Sequence, residues 1–192
     1  APRTVILNRE NIATAHEHLG FPIILKQPDS SFSLGVMKVD TLQELTQQGT
    51  MLFEKSDLII GQEFTPTDFD WRIGVINNIP IFACKYYMAR SHWQVMNWDK
   101  KGKARYGKWE TVDPGSAPVE VIDLALKISS VIGDGLYGVD IKHFNGRYYV
   151  IEINDNPNLD SGVEDRILGD ELYLKIMRVF YERVKRLKGG GN

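Results

Sequence analysis

Leu136-Tyr137-Gly138-Val139-Asp140-Ile141-Lys142-His143-Phe144, then Asn145-Gly146, then Arg147-Tyr148-Tyr149-Val150-Ile151-Glu152-Ile153-Asn154 is the stretch on which the reading of this chain turns. Both runs are rich in β-branched and aromatic residues, and the Asn-Gly pair between them signals a hairpin. Asp140, Glu152 and Asn154 put three oxygen-bearing side chains on segments that otherwise read as buried sheet. Carboxylates taken into a sheet are costly unless something positive neutralises them.

Glu152 and Asn154 lie two residues apart, so they share a face of their strand. Whether Asp140 joins them depends on the turn. A two-residue type I′ turn pairs Phe144 with Arg147, sets Asp140 opposite Ile151 and turns it to the wrong face. A three-residue loop, a type I turn with Gly146 left-handed, pairs His143 with Arg147. Asp140 then lies opposite Val150, and the three polar residues line one face. The second register is expected, and the first would remove the shared site. Three hard oxygen donors suit a Mg²⁺ ion, or Mn²⁺ in its place, that keeps several waters and phosphate oxygens. The competing reading is a half-exposed hairpin whose polar residues face water.

Composition narrows the remaining classes. The 192 residues allow one sizeable domain or two small lobes, and 43% hydrophobic with 25% charged content is ordinary for a soluble globular protein. A net charge of −2 gives no overall attraction to nucleic acid or anionic membrane. No apolar run spans a bilayer, and no signal-peptide pattern opens the chain. The one cysteine, Cys84, forms no internal disulfide and suits a reducing, cytoplasmic setting. It sits in a strand-like run without a nearby histidine, so it reads as a core residue and no nucleophile.

Along the chain, Ala1-Pro2-Arg3-Thr4 lacks an initiator methionine and is expected to run straight into a helix, as in a fragment of a longer protein. That helix is capped by Asn8 and stopped by Gly20. Phe21–Lys26 reads as a short apolar strand ending in a lysine, and 29–35 as a serine loop. Val36–Val39 is a strand, and Thr41-Leu42-Gln43-Glu44 a capping box opening a second helix. Leu58–Phe64 is a strand broken by Thr65-Pro66. A hairpin (Asp70–Ile76, Ile79–Tyr87) starts the second half, followed by a polar stretch to Lys108, a Ser116-capped helix to Ile132, the Asp140 hairpin and a final helix from Asp170. This predicts an α+β fold in two lobes, 1–64 and 65–192. Gly133-Asp134-Gly135-Leu136-Tyr137-Gly138 matches a dinucleotide fingerprint by letter only. A helix precedes it and a strand follows, the reverse of what pyrophosphate binding needs.

Other chemistry-bearing residues are few. Lys26 is placed to meet a phosphate as a point charge, or simply to keep its head in water over a packed stem. Arg72 and Lys85, on neighbouring strands, are candidate cations for phosphoryl transfer, where positioning and electrostatics do most of the work. His16 and His18 lack metal-ligand spacing and read as surface residues. The basic stretch 100–108 is read as a solvated loop in preference to a nucleic-acid contact.

In this order the pieces resemble the ATP-grasp superfamily, and within it the glutathione synthetase and RimK-type carboxylate–amine ligases. Gly138–Ile141 followed by Val150–Pro157 is the most specific part. The resemblance implies two α+β lobes enclosing a nucleotide cleft, ATP as cosubstrate, and Mg²⁺ held by Asp140, Glu152 and Asn154. It implies that Lys26 contacts ATP phosphates and that the loop carrying Ser31 and Ser33 covers them. Gln62, Glu63 and Phe64 resemble the linker that reads the adenine edge, and Asp70 the ribose-binding acid. Arg72 and Lys85 correspond to cations near the γ-phosphate and the reacting carboxylate. The serine-rich covering loop departs from the usual glycine-rich one, and no substrate-side N-L-x-x-G-G stretch is found. A preceding domain typical of the family is expected to be missing.

Membership implies that a substrate carboxylate attacks ATP to form an acylphosphate and that an amine then displaces phosphate, on amino-acid or peptide substrates of glutamate type. Small-molecule or peptide substrates, possible self-association, and no nucleic acid or membrane are the partners expected. The alternatives are a nucleotide-binding regulatory module without turnover and a plain interaction domain.

Overall fold

The computed structural model describes residues 1–29, 35–98 and 103–189. The chain divides into two compact units: Ala1–Pro66 with Trp98, Lys103 and Ala104, and Thr67–Asn97 with the described residues from Arg105 onward.

In the first unit the order is β1 (Thr4–Leu7), a 3₁₀ turn (Ile12–Thr14), α1 (Ala15–Leu19), β2 (Ile23–Lys26), β3 (Val36–Val39), α2 (Leu42–Leu52) and β4 (Ile59–Glu63). The antiparallel sheet runs β1-β4-β2-β3. Here the expected N-terminal helix is corrected. Thr-Val-Ile-Leu is a β-prone run and pairs with β4 from Thr4↔Gln62 to Leu7↔Ile59. The Asn8 side chain accepts from the N–H groups of Glu10 and Asn11, both at 3.0 Å, and so closes a local turn that postpones the helix. Leu7, Ile23, Leu25, Val39, Leu45 and Ile59 are buried together beneath the helices. Each such side chain contributes about 1.5–3 kcal/mol of burial.

The second unit carries β5 (Phe69–Ile76), β6 (Ile79–Tyr87), all but one residue each of β7 (Met96–Trp98) and β8 (Ala104–Tyr106), β9 (Trp109–Val112), α3 (Val119–Ile132), β10 (Leu136–Phe144), β11 (Arg147–Asn154) and α4 (Asp170–Gly189). β7 and β8 form a small ribbon, and the main sheet is ordered β11-β10-β5-β6-β9. Alternation gives this sheet two covered faces. Trp71, Ile73, Val75, Ala83, Val139 and Ile141 pack with Val121 and Ala125 of α3. Ile76, Ile81, Phe82 and Cys84 pack with Leu172 and Ile176 of α4. Ser116 does not cap α3; it ends a separate 3₁₀ turn whose cap is Asp113, and Pro118 precedes the helix. The helix ends after Ile132 as expected, with Gly133 at its C-cap.

The β10–β11 turn is also a correction. Asn145 and Gly146 have φ of 49° and 72°, and Phe144 pairs with Arg147, so the turn is the two-residue form. By itself that register turns Asp140 away from Glu152. Between Asp140 and Ile141, however, the register shifts: Ile141 pairs with Val150 while Asp140 pairs with Glu152. Ile151 is the extra residue of a β-bulge, and it restores the shared face by another route.

The capping box at α2 forms with one change of partner. Thr41 Oγ1 accepts from the Glu44 N–H at 3.2 Å, while the Glu44 carboxylate accepts from the Asp40 N–H at 2.7 Å. Thr41→Ala is expected to lower unfolding free energy by about 1 kcal/mol in denaturant titration, with unchanged m-value.

Candidate functional site

The face of the main sheet that carries Phe82 and Cys84 also carries the polar residues. Asp140 lies opposite both Glu152 on β11 and Arg72 on β5, and Gly138 lies opposite both Asn154 and Gly74. Directly opposed residues in antiparallel strands point to one side. Asp140, Glu152, Asn154 and Arg72 therefore share a face. The Asn154 amide donates to Glu152 Oε1 at 3.0 Å, which leaves its own oxygen for another partner. Gly138 keeps the floor clear: a Cβ there would meet the Pro157 Cβ at 2.7 Å.

Arg72 grips Asp140 in a fork. Its Nε and one terminal nitrogen donate to the two carboxylate oxygens, each at 2.6 Å. The side chains are 21% and 16% exposed, so this pair is shielded well beyond a surface bridge. Burial alone would lower the Arg72 pKa; the charge and hydrogen bonds of Asp140 outweigh it and hold the guanidinium above its ordinary value. The same guanidinium stands 5.4 Å from the Tyr86 ring centroid. Tyr86 in turn donates to Glu164, a fully buried carboxylate that also accepts the Asp160 N–H at 2.7 Å. Burial, followed by that hydrogen bond to Glu164, pushes the Tyr86 hydroxyl well above the usual tyrosine range.

Next along the face stands a second pair that the sequence reading missed. Lys142 donates to Asp70 Oδ1 at 2.5 Å and to Thr67 Oγ1 at 2.8 Å, and Thr67 donates to the same Asp70 oxygen at 2.9 Å. The signal was present: Lys142 is two residues beyond Asp140 on one strand and must share its face. Burial raises the Asp70 pKa, and the Lys142 charge and hydrogen bonds oppose that rise only in part.

Lys85 is not brought to this group. Arg72 pairs with Cys84, so Lys85 pairs with Trp71 and points to the other face of the sheet. There it lies 5.3 Å from the Trp71 ring and 3.1 Å from the Glu110 carboxylate. Of the two expected cations, Arg72 therefore lies on the face of Asp140 and Lys85 on the opposite one. Cys84 behaves as expected: it is buried against the Thr111 hydroxyl at 3.3 Å, and burial pushes its thiol up to about 11.

The first unit presents its own set. Lys26 ends β2 and donates to Gln62 Oε1 at 2.8 Å, and Gln62 donates to the Thr4 hydroxyl at 3.0 Å. The Glu63 carboxylate is hydrogen-bonded by Arg3 at 2.9 Å, which against partial burial lowers its pKa. The Glu63 and Phe64 N–H groups, expected at a base edge, donate to the Arg3 and Pro22 carbonyls at 2.9 and 3.3 Å. Ser31 and Ser33 lie outside the described residues.

Among the described residues no three His, Cys, Asp or Glu side chains form a metal cluster. The group on the sheet face is instead two carboxylates and an amide oxygen. That is a hard-oxygen donor set, and it fits an ion that completes its shell with water and phosphate oxygens. No helix among the described residues is long and apolar enough to cross a membrane.

Comparison with known proteins gives a consistent result. A family model described as RimK-like ATP-grasp domain matches residues 2–179. A D-alanine–D-alanine ligase of Flavobacterium psychrophilum is 27% identical over 169 residues, 82% of this chain and 49% of the relative. A coenzyme gamma-F420-2:alpha-L-glutamate ligase of Methanococcus maripaludis is 27% identical over 146 residues, 73% of this chain and 47% of the relative. The chain thus spans about half the length of the curated relatives it matches. Among solved structures, the D-alanine–D-alanine ligase of Bacillus anthracis complexed with ATP superposes with a TM-score of 0.69 at 18% identity, covering 95% of this chain and 63% of that one. The ATP-grasp ligase PsnB with its minimal precursor gives a TM-score of 0.59 at 22% identity, covering 83% and 47%. At these identities the structures speak to the fold.

Asp70 yields a prediction. A carboxyl whose folded pKa is raised contributes stability that is fully present below its unfolded pKa and lost as pH rises through the folded value. Lys142→Met is expected to move the Asp70 titration, followed by side-chain carboxyl NMR, further upward, and to make the loss of stability on raising pH through that value larger. A downward or unchanged titration would remove Lys142 as the group that opposes the rise at Asp70.

Proposed function

Because this chain belongs to the RimK-like ATP-grasp family, we propose that it is the nucleotide-binding portion of an ATP-dependent carboxylate–amine ligase. The observation that carries this reading is the single sheet face on which Asp140, Glu152 and Asn154 gather beside the Arg72 guanidinium. A substrate carboxylate oxygen attacks the γ-phosphorus of ATP, ADP leaves, and an acylphosphate results. An amine nitrogen then attacks the acyl carbon, phosphate leaves with the bonding pair, the nitrogen loses a proton, and an amide remains.

Asp140, Glu152 and Asn154 would hold Mg²⁺, which neutralises charge on the phosphates and orients them. Arg72 is fixed by Asp140 beside those donors, so its positive charge is already in place when charge shifts toward the leaving group. Lys26 is assigned to a phosphate, and Gln62, Glu63 and Phe64 to the adenine side, on the strength of the family pattern. Asp70 is assigned to the ribose by the same pattern, with Lys142 and Thr67 as the groups that keep it oriented. Lys85 takes no part in this reading, given its place on the other face. No protein nucleophile is needed, in keeping with a buried, high-pKa Cys84. An amino acid or peptide of glutamate type is the preferred carboxylate or amine partner, supported by the likeness to a glutamate ligase.

Two outcomes test this. Glu152→Ala is expected to abolish the Mg²⁺-dependent stabilisation by ATP seen in thermal unfolding while leaving the unliganded transition unchanged. At 100 times Kd that stabilisation is roughly 2.7 kcal/mol for one site. Equal stabilisation in the variant would exclude Glu152 from the site. In the full-length protein, screened for phosphate release against amino acids and peptides, Arg72→Ala is expected to lower turnover more than ATP affinity. Loss of affinity alone would make Arg72 a binding residue only, and phosphate release with no substrate at all would exclude the ligase reading.

A further inference from the structure

α4 has two apolar stripes, and only one is used within the chain. Leu172 and Ile176 are buried against the sheet. On the opposite side Leu174, Met177, Tyr181 and Val184 are 45%, 63%, 64% and 48% exposed. An unpartnered row of this length is unusual for a helix whose other face already closes a core.

The spacing of that row identifies its partner. From Asp170 the positions Leu174, Met177, Tyr181, Val184 and Lys188 follow at alternating intervals of four and three, the seam of a two-helix coiled coil. The intervals read the same in both directions. Laid antiparallel on a second α4, Leu174 therefore meets Val184, Met177 meets Tyr181, and Asp170 meets Lys188. The charges at the two ends of the helix agree with this alignment. Asp170 and Glu171 stand at the N-terminal end of the helix, Lys185, Arg186 and Lys188 at the C-terminal end. An antiparallel pair sets acid against base at both ends, whereas a parallel pair sets like against like. Opposed helix dipoles favour the antiparallel arrangement too. Phe180 and Leu187 widen the apolar strip along one flank, both exposed.

We propose that α4 is a self-complementary docking surface on which a second copy of this chain seats its own α4 antiparallel, about a two-fold axis between Met177 and Tyr181. Such an isologous contact closes on itself and gives a dimer. The surface is independent of the nucleotide reading, since none of its residues belongs to the polar face of the sheet.

Sedimentation equilibrium on this chain tests the proposal. Wild type is expected to be dimeric, and Met177→Glu with Tyr181→Glu monomeric, with an unchanged far-UV circular dichroism spectrum because both side chains are exposed. Asp170→Lys alone, and Lys188→Asp alone, are each expected to raise the dimer Kd by about tenfold by turning both end contacts repulsive. The double exchange Asp170→Lys with Lys188→Asp is expected to restore it. A wild-type monomer at all concentrations overturns the proposal, and so does a dimer that survives the two glutamates. A double exchange that fails to rescue overturns the antiparallel alignment on which it rests.

Discussion

One inserted residue governs the candidate site. The Asn145-Gly146 turn sets a register in which an acid of β10 and the acid–amide couple of β11 point to opposite sides. Ile151 bulges out of the ladder and reverses that outcome, so that Asp140 faces Glu152. A bulge costs a ladder hydrogen bond and bends its strand, yet bulges recur where a side chain must be re-aimed. The shared face of Asp140, Glu152 and Asn154 depends on this re-aiming, while Arg72 meets Asp140 through the separate, unshifted β10–β5 pairing.

That fork solves an electrostatic problem created by the bulge. Two carboxylates brought to one sheet face repel, and Asp140, though not Glu152, is largely shielded from water there. Arg72 stabilises Asp140 directly and is itself backed by the Tyr86 ring. Lys142 does the same for Asp70 a step further along. The result is an ordered row of alternating charge, held on strands and not on loops, which is where a preorganised site is best built. Behind it, Glu164 and the loop that contains it are tied to the sheet through Tyr86 and Thr111.

Much of this was legible in the residues. The β-prone runs from Ile23 onward, the final helix and the buried cysteine follow from local chemistry and took their expected form, whereas the capping box changed one partner and the Asn145-Gly146 turn was shorter than expected. The three oxygen donors were identified from composition and spacing alone, though by the wrong turn. A bulge leaves no mark in the sequence that distinguishes Ile151 from its neighbours, so the register was not derivable. The N-terminal strand was missed because Asn8 is equally good at capping a helix and closing an Asx turn, and the partner strand β4 lies far along the chain. That Lys85 lies on the opposite face from Arg72 was hidden for a related reason. Adjacent strands were known, but which residue of β6 opposes Arg72 required the pairing itself.

The most direct test of the account is a crystal structure of the full-length protein with Mg²⁺ and a non-hydrolysable ATP analogue. The account requires an ion bridging analogue phosphate oxygens to Asp140, Glu152 and the Asn154 amide oxygen, at the roughly 2.0–2.1 Å usual for Mg²⁺. An ion bound elsewhere, or a triphosphate seated away from that sheet face, would contradict it.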